Sequence, residues 1–181
     1  MIVILATHRL LFRTFTKDDA SLLYQLNSDP DVIRFTYDPL HDLSEASKTI
    51  EQIILPQYAL YNHGRWAVHL KTTMEFIGWC GLKYDDERNE IDLGYRFAKK
   101  FWNNGYATEA AYATIQYGFE KLNIATIVGK AVKDNLASIH VLKKCGMQYT
   151  GVKDIGGYPM ETYAIYNPLL HDFDRPDRFP I

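Results

Sequence analysis

The chain reads as a mixed α/β single domain with a central, mostly antiparallel twisted sheet flanked by helices. Three observations predict this class. Residues 65–71, 76–84 and 90–97 carry alternating apolar side chains and are joined by short polar turns, the pattern of an antiparallel meander. An alanine-rich helix at 108–121 follows a polar turn with one glycine, Asn103-Asn104-Gly105. A β-rich stretch, a short helix and two closing strands complete an order of βαα, three strands, α, β, α, two strands. A length of 181 residues fits one domain, with its core at about 7–166 and a tail at 167–181.

Each element has a local reason. Residues 8–15 alternate loosely and form the first predicted strand. Thr16 caps the helix that follows, and Asp18 and Asp19 suit the positive end of its dipole. Ala20, Leu23, Tyr24 and Leu26 supply the apolar stripe, and Asp29-Pro30 stops it. A second helical region, 44–61, opens on Ser44 as a cap and carries Ile50, Ile53 and Ile54 at helical spacing. Pro56 within it is a kink or a break. Asn62-His63-Gly64 turns the chain into the meander. Along 108–121, Ala110, Ala111, Ile115 and Phe119 make a narrow face able to pack closely on a sheet. Residues 135–144 are helical and end before Gly146, placed for a left-handed cap. Strands at 148–153 and 161–166 close around Gly156-Gly157, and the proline-bearing tail beyond 167 is expected to wrap on the surface.

Composition narrows the function. Hydrophobic residues make up 47%, enough for a substantial core. A net charge of -2 without a basic run argues against nucleic acid and against an anionic membrane. The apolar opening at residues 1–6 is too short for a signal peptide, and no stretch reaches the length of a membrane span. Cys80 and Cys145 form no metal-like pair and read as reduced thiols of a cytoplasmic protein. The six histidines lack zinc-like spacing, so no metal is expected.

The turn before the alanine-rich helix carries the chemistry. A short glycine turn at a helix N-terminus aims several backbone N–H groups and the positive end of the dipole at one point, which suits phosphate. Read alone, Trp102-Asn103-Asn104-Gly105-Tyr106-Ala107-Thr108 is either such an anion site or an ordinary strand-to-helix loop.

Taken in order, the strand at 90–97, this turn, the long helix, the β-rich stretch, the segment Asn135-Leu136-Ala137-Ser138-Ile139-His140-Val141-Leu142 and the Gly146-Met147 turn resemble the GNAT N-acetyltransferase superfamily. The resemblance covers residues 7–166 and is strongest to the RimJ/RimL branch, which is similar to ribosomal-protein N-terminal acetyltransferases. Thr7-His8-Arg9-Leu10-Leu11-Phe12-Arg13 and Ile77-Gly78-Trp79-Cys80-Gly81-Leu82 also resemble that branch. The resemblance implies a sheet split between the family's fourth and fifth strands, with acetyl-CoA as co-substrate. Its pyrophosphate would lie on residues 102–108 and its pantetheine arm along Tyr95, Arg96 and Phe97. The family turn is usually [Gln/Arg]-x-x-Gly-x-[Gly/Ala]. Gly105 and Ala107 match it, Trp102 departs from it, and Asn103 stands where many members have glycine. Asparagine tolerates left-handed backbone angles, so the turn can survive. Gly94 marks a bulge, a close backbone approach, or relief of crowding under a helix. Free N–H groups at Tyr95 or Phe97 would polarise the thioester carbonyl.

The resemblance also assigns catalytic and acceptor candidates. Asn135 corresponds to the family asparagine that contacts pantetheine, and it can equally cap its helix. Many members place a tyrosine where this chain has Leu142, so Ser138 is the nearest substitute at the leaving thiolate. His140 reads as a surface histidine. Asp92 is the matched candidate for the base, with Glu161, Glu90 and ordered water as alternatives. Tyr37, Trp66, Trp79 and Tyr163 are candidates to line an acceptor groove, though strand aromatics are commonly core. The expected activity is acetyl transfer from acetyl-CoA to a primary amine by direct attack. The acceptor is a protein N-terminus or a small-molecule amine, and a homodimer is an admissible assembly. The rival reading is a non-catalytic acyl-CoA-binding module.

Overall fold

A computed structural model describes residues 2–170. Eight strands form one sheet, in the order β1-β2-β3-β4-β5-β6-β8-β7. They are β1 Val3–Ala6, β2 Leu10–Arg13, β3 Arg65–Leu70, β4 Phe76–Asp85, β5 Glu90–Phe97, β6 Thr126–Val132, β7 Gln148–Ile155 and β8 Tyr158–Tyr166. Every neighbouring pair is antiparallel except β5 and β6, which run parallel. The helices are α1 Ala20–Asn27, α2 Pro30–Ile33, α3 Leu43–Thr49, α4 Leu55–Tyr61, α5 Tyr106–Glu120 and α6 Leu136–Lys144.

Strand alternation divides the core between the two faces. On one face, Leu82, Leu93 and Ile127 pack under α5 and α6 with Ala110, Ala111, Ile115 and Leu142. The small residues let α5 lie close, and a Cβ on Gly118 would stand 2.9 Å from Ile127 and Leu82. On the other face, Ala67 joins Phe15, Leu23, Ala46, Ile50 and Ile54 beneath α1, α3 and α4.

Several expectations are corrected. The apolar opening forms an edge strand, β1, antiparallel to β2. Asp42 caps α3 by accepting from the Glu45 N–H, so Ser44 lies inside the helix. Asp29-Pro30 both ends α1 and starts α2, with Asp29 accepting from the Asp31 N–H. Pro56 breaks nothing, because a π-helical stretch over Ile50–Ile54 joins α3 to α4. That stretch widens the turn just before the ring, relieving the clash a proline makes in a regular α-helix. The last strand begins earlier than expected, with Ile155 paired to Tyr158 across Gly156 and Gly157, both at positive φ. The tail beyond residue 170 lies outside the described residues.

Candidate active site

The sheet has one internal split. β5 and β6 pair only at Asp92 with Val128 and Leu93 with Gly129, whereas β5 pairs with β4 along its whole length. Gly94 to Phe97 therefore has no partner strand on its β6 side. The Ala98 N–H bonds to the Ile77 carbonyl at 2.9 Å, on the β4 side. Alternation then turns the N–H groups of Tyr95 and Phe97 toward the split. The strand holds no bulge at Gly94, since its register with β4 is continuous. What Gly94 admits is Arg65, whose guanidinium carbon would stand 2.5 Å from an added Cβ.

The turn beyond β5 is preformed. Asn103 and Gly105 adopt left-handed φ values of 60° and 78°. Gly105 is the N-cap of α5, and no side chain caps that end. Among the described residues, the N–H groups from Asn103 to Thr108 meet no backbone acceptor before the Glu109 N–H reaches the Gly105 carbonyl. A helix start of this kind is a strong anion site. The Trp102 indole donates to the Phe97 carbonyl at 2.7 Å and pins the turn to the strand. Arg9 braces it from outside by donating to the Asn104 carbonyl at 3.0 Å, pairing with Glu109 at 2.6 Å and stacking over Tyr106 at 4.4 Å. Arg9 appeared in the sequence only as part of a strand match. Its bracing role depends on a contact ninety-five positions away.

Across the split, β5 reaches α6. The Tyr95 hydroxyl lies 3.0 Å from both the Ser138 carbonyl and the Ser138 hydroxyl. Burial pushes the Tyr95 phenol well above its usual range, so it holds its proton. Asn135 caps α6 by accepting from the Ser138 N–H at 3.1 Å, and its amide N–H₂ remains available. Tyr95, Asn135 and Ser138 border a cavity of about 550 Å³ that continues onto the opposite face of the sheet. There it meets Asp92, Arg65, Lys83 and Lys130, with Trp79, Tyr37 and Tyr158 as aromatic walls. Tyr37 stacks on Tyr158 with ring centroids 4.1 Å apart, joining a loop to the first residue of β8 across the cavity edge.

Charge on that face is organised in pairs. Arg65 binds the Asp92 carboxylate at 2.5 Å and donates to the Gly81 and Asp92 carbonyls. Trp79 lies between two guanidinium groups, with Arg65 and Arg96 at 5.4 and 5.3 Å from its ring centroid. Arg96 points away from the turn and is held by Asp38 at 2.7 Å. Burial lowers its pKa, and Asp38 opposes that shift. Lys130 contacts Glu90, lies 3.6 Å from Asp85 and is 4.0 Å from Asp92. Burial works to raise the Glu90 carboxyl, but Lys130 and Lys153 hold it below the usual carboxylate range.

The structure thus gathers Tyr37, Trp79, Asp92, Tyr95, Asn135 and Ser138 around one cavity. It does not bring Trp66, Tyr163 or Glu161 to that wall. Trp66 packs edge-on against Tyr117 in the core, and Tyr163 is 1% exposed. Glu161 is paired in register with Ala131, on the sheet face away from Asp92, and accepts from the Tyr163 hydroxyl at 2.6 Å. The Arg96 side chain is likewise separate from residues 102–108, leaving its backbone as the part beside the split. Residues missed in the sequence are Arg9, Asp38, Arg65, Lys83 and Lys130. Only their charge was visible there, and charge alone does not place a side chain.

Residues 9–148 match a family model described as an acetyltransferase (GNAT) domain. The chain is 34% identical over 151 residues to the uncharacterized N-acetyltransferase p20 of Bacillus licheniformis, covering 82% of this chain and 84% of that protein. A GNAT-family acetyltransferase from Bacillus anthracis has a similar structure, with a TM-score of 0.78, 26% identity and coverage of 92% and 99%. RimL, a ribosomal L7/L12 alpha-N-protein acetyltransferase solved with coenzyme A, shares the fold at a TM-score of 0.79, 18% identity and coverage of 91% and 98%.

Proposed function

The chain belongs to the GNAT acetyltransferase family and is an N-acetyltransferase, and on that premise we propose that it acetylates a primary amine by direct attack on acetyl-CoA. The observation that carries this reading is the split between β5 and β6 beside a turn of uncapped amides. Together they fit a long ligand with a phosphate end and an amide-bearing arm. The amides of 103–108 would hold the pyrophosphate, and the Asn135 amide would bind the arm. Bound acetyl-CoA supplies an acetyl thioester as the electrophile.

The chain's own residues then have separable tasks. In this reading the N–H groups of Tyr95 and Phe97, free on the β6 side, polarise a carbonyl lying in the split. The Tyr95–Ser138 hydroxyl pair, in the same reading, gives a proton to the leaving thiolate. Asp92, or water ordered by it, takes the proton from the acceptor ammonium. Leu142, buried at 1% exposure, has no hydroxyl, which favours the rival reading of a non-catalytic acyl-CoA binder. Tyr95 answers that objection by bringing a phenol to α6 from the neighbouring strand.

The acceptor in this reading is a protein N-terminal amine or a small-molecule amine, and the motifs favour the RimJ/RimL branch. A cytoplasmic location goes with it, supported by two buried free thiols, Cys80 and Cys145. No helix among the described residues is long and apolar enough to cross a membrane. The test is release of CoA thiol from acetyl-CoA in the presence of a mixed amine panel. Thiol release should depend on added amine. Asn135→Ala should raise the KM for acetyl-CoA about 5-fold, the effect of roughly 1 kcal/mol from one hydrogen bond. Acetyl-CoA binding without amine-dependent release would favour the non-catalytic reading.

A further inference from the structure

The acceptor face of the cavity carries more positive charge than its own carboxylates match. Its wall includes four cations, Arg65, Lys83, Arg88 and Lys130, and two anions, Asp85 and Asp92. Arg65 pairs with Asp92 at 2.5 Å and Arg88 with Asp85 at 3.0 Å. Lys130 is held by Glu90, whose carboxylate also lies 3.4 Å from Lys153. Among the described residues, Lys83 has no carboxylate within ion-pair distance. It is half-buried, and it stands in β4 directly opposite Asp92 in β5.

Cofactor phosphates do not account for this cation. Lys83 leaves the sheet on the face opposite α5, because its neighbour Leu82 packs in the core beneath that helix. The amide turn at the N-terminus of α5 supplies a separate phosphate site. A half-buried ammonium facing a cavity calls for a counter-charge. One unmatched cation fits a monoanion, so a carboxylate suits it better than a dianionic phosphate. The reach is short. Asp92 and Gly94 are two positions apart on β5, about 7 Å along the strand, and the split opens at Gly94.

We propose that the acceptor amine carries its own carboxylate close by, as an α-amino acid does, and that Lys83 receives that carboxylate. The proposal rests on the N-acetyltransferase reading. In the step, the acceptor nitrogen forms a bond to the acetyl carbon and the C–S bond breaks. One ammonium proton leaves to Asp92 or water before attack. The nitrogen sheds a second once the N–C bond has formed, and that second loss balances the proton the thiolate gains to become CoA thiol. The products are an N-acetyl amino acid and CoA. Trp79, Tyr37 and Tyr158 give the side chain an apolar wall. A polyamine would bring more cations to a face already in positive excess, and a peptide N-terminus would place no carboxylate beside its amine.

The experiment compares free phenylalanine, methionine and glutamate with their α-carboxamides, alongside spermidine and a short unblocked peptide. CoA thiol release is read, and rates are expressed per unprotonated amine. At least one free acid should exceed its amide by 10-fold or more in kcat/KM, with spermidine and the peptide below it. Lys83→Met should remove that advantage while leaving the dissociation constant for acetyl-CoA unchanged, and Lys83→Arg should restore part of it. The acid–amide comparison uses the unaltered protein, so it stands even if Lys83→Met fails to fold. Amides equal to acids, or spermidine or the peptide as the better acceptor, would overturn the proposal and leave the acetyltransferase reading intact. No turnover with any amine, in protein that binds acetyl-CoA, would overturn both.

Discussion

Removing the Tyr95 hydroxyl separates a structural bond from a proton path. Tyr95→Phe keeps the ring, so it opens no cavity, and it deletes one oxygen that lies 3.0 Å from the Ser138 carbonyl and 3.0 Å from the Ser138 hydroxyl. The loss of an intramolecular hydrogen bond costs roughly 0.5–1.5 kcal/mol. For a chain of this length each 1 kcal/mol moves Tm by about 2–4 °C, so the midpoint should fall by no more than about 6 °C. If the Tyr95–Ser138 pair also protonates the leaving thiolate, kcat should fall about 100-fold, the lower end for general acid catalysis. Ser138→Ala should do the same, and the double variant should be little worse than either, since two residues acting as one unit are not additive.

The pH behaviour sharpens that test. Burial raises the Tyr95 phenol above its unfolded value, so the folded protein keeps it neutral where an exposed tyrosine ionises. Its stabilising contribution is complete below the unfolded pKa, near 10, and is lost as pH rises through the higher folded value. Turnover of the unaltered enzyme should therefore show no descending limb from Tyr95 up to about pH 10. Stopped assays across pH 6–10, with thermal melts on the same samples, would measure both effects. A Tyr95→Phe variant that loses a few degrees yet keeps kcat within about threefold would refute the proton path and leave only a strand-to-helix bond.

Gly105→Val should weaken CoA binding by about 10-fold or more in a calorimetric titration, corresponding to roughly 1.4 kcal/mol. Space is not the obstacle there, because an added Cβ would meet only the Arg9 guanidinium at 3.6 Å; the cost arises from the left-handed φ of 78°. Asp92→Asn should lower turnover by about 100-fold with acetyl-CoA affinity nearly unchanged, whereas Glu161→Gln, on the other sheet face, should stay within about threefold in the same pH–rate series. A profile unchanged in shape and height for Asp92→Asn would remove it as the base. Gly81→Ala should destabilise by about 1–3 kcal/mol or more in denaturant melts, because its Cβ would stand 2.1 Å from the Gly64 carbonyl oxygen. Cys80, whose thiol burial pushes up to about 12, should resist alkylation at pH 8 until the protein is unfolded.

Local patterns made most of the fold legible. The meander follows from alternation and polar turns, and the two helices beside the split follow from small apolar stripes and caps. What escaped was settled by contacts distant in the chain. β1 is too short to announce itself, and its place as a strand comes from pairing with β2. Gly94 left three readings open in the sequence. The structure's answer, close approach of Arg65, depends on a side chain from β3 and has no local signature. Trp66 and Trp79 look alike as strand aromatics. Register decides that Trp66 enters the core while Trp79, on the next strand, faces Arg65 and Arg96. Asn103 was legible for a different reason, since its tolerance of positive φ is a property of the residue itself.

β5 divides the proposed site into two halves that should respond separately to substitution. Its odd-numbered residues Leu93, Tyr95 and Phe97 face α5 and α6, and its even-numbered residues Asp92, Gly94 and Arg96 lie on the opposite face, where Asp92 and Gly94 border the cavity and Arg96 is held by Asp38. A substitution at an even position should change the amine accepted or its deprotonation, and one at an odd position should change thioester handling or thiolate release. Arg65 is where this separation should be weakest. It touches the Asp92 carboxylate, two backbone carbonyls bordering Gly94 and the ring of Trp79. Truncating it would therefore free the Asp92 carboxylate and loosen the backbone beside the split together. Its effects should appear in both kcat and the KM for acetyl-CoA, where Lys83 variants move only the acceptor parameters.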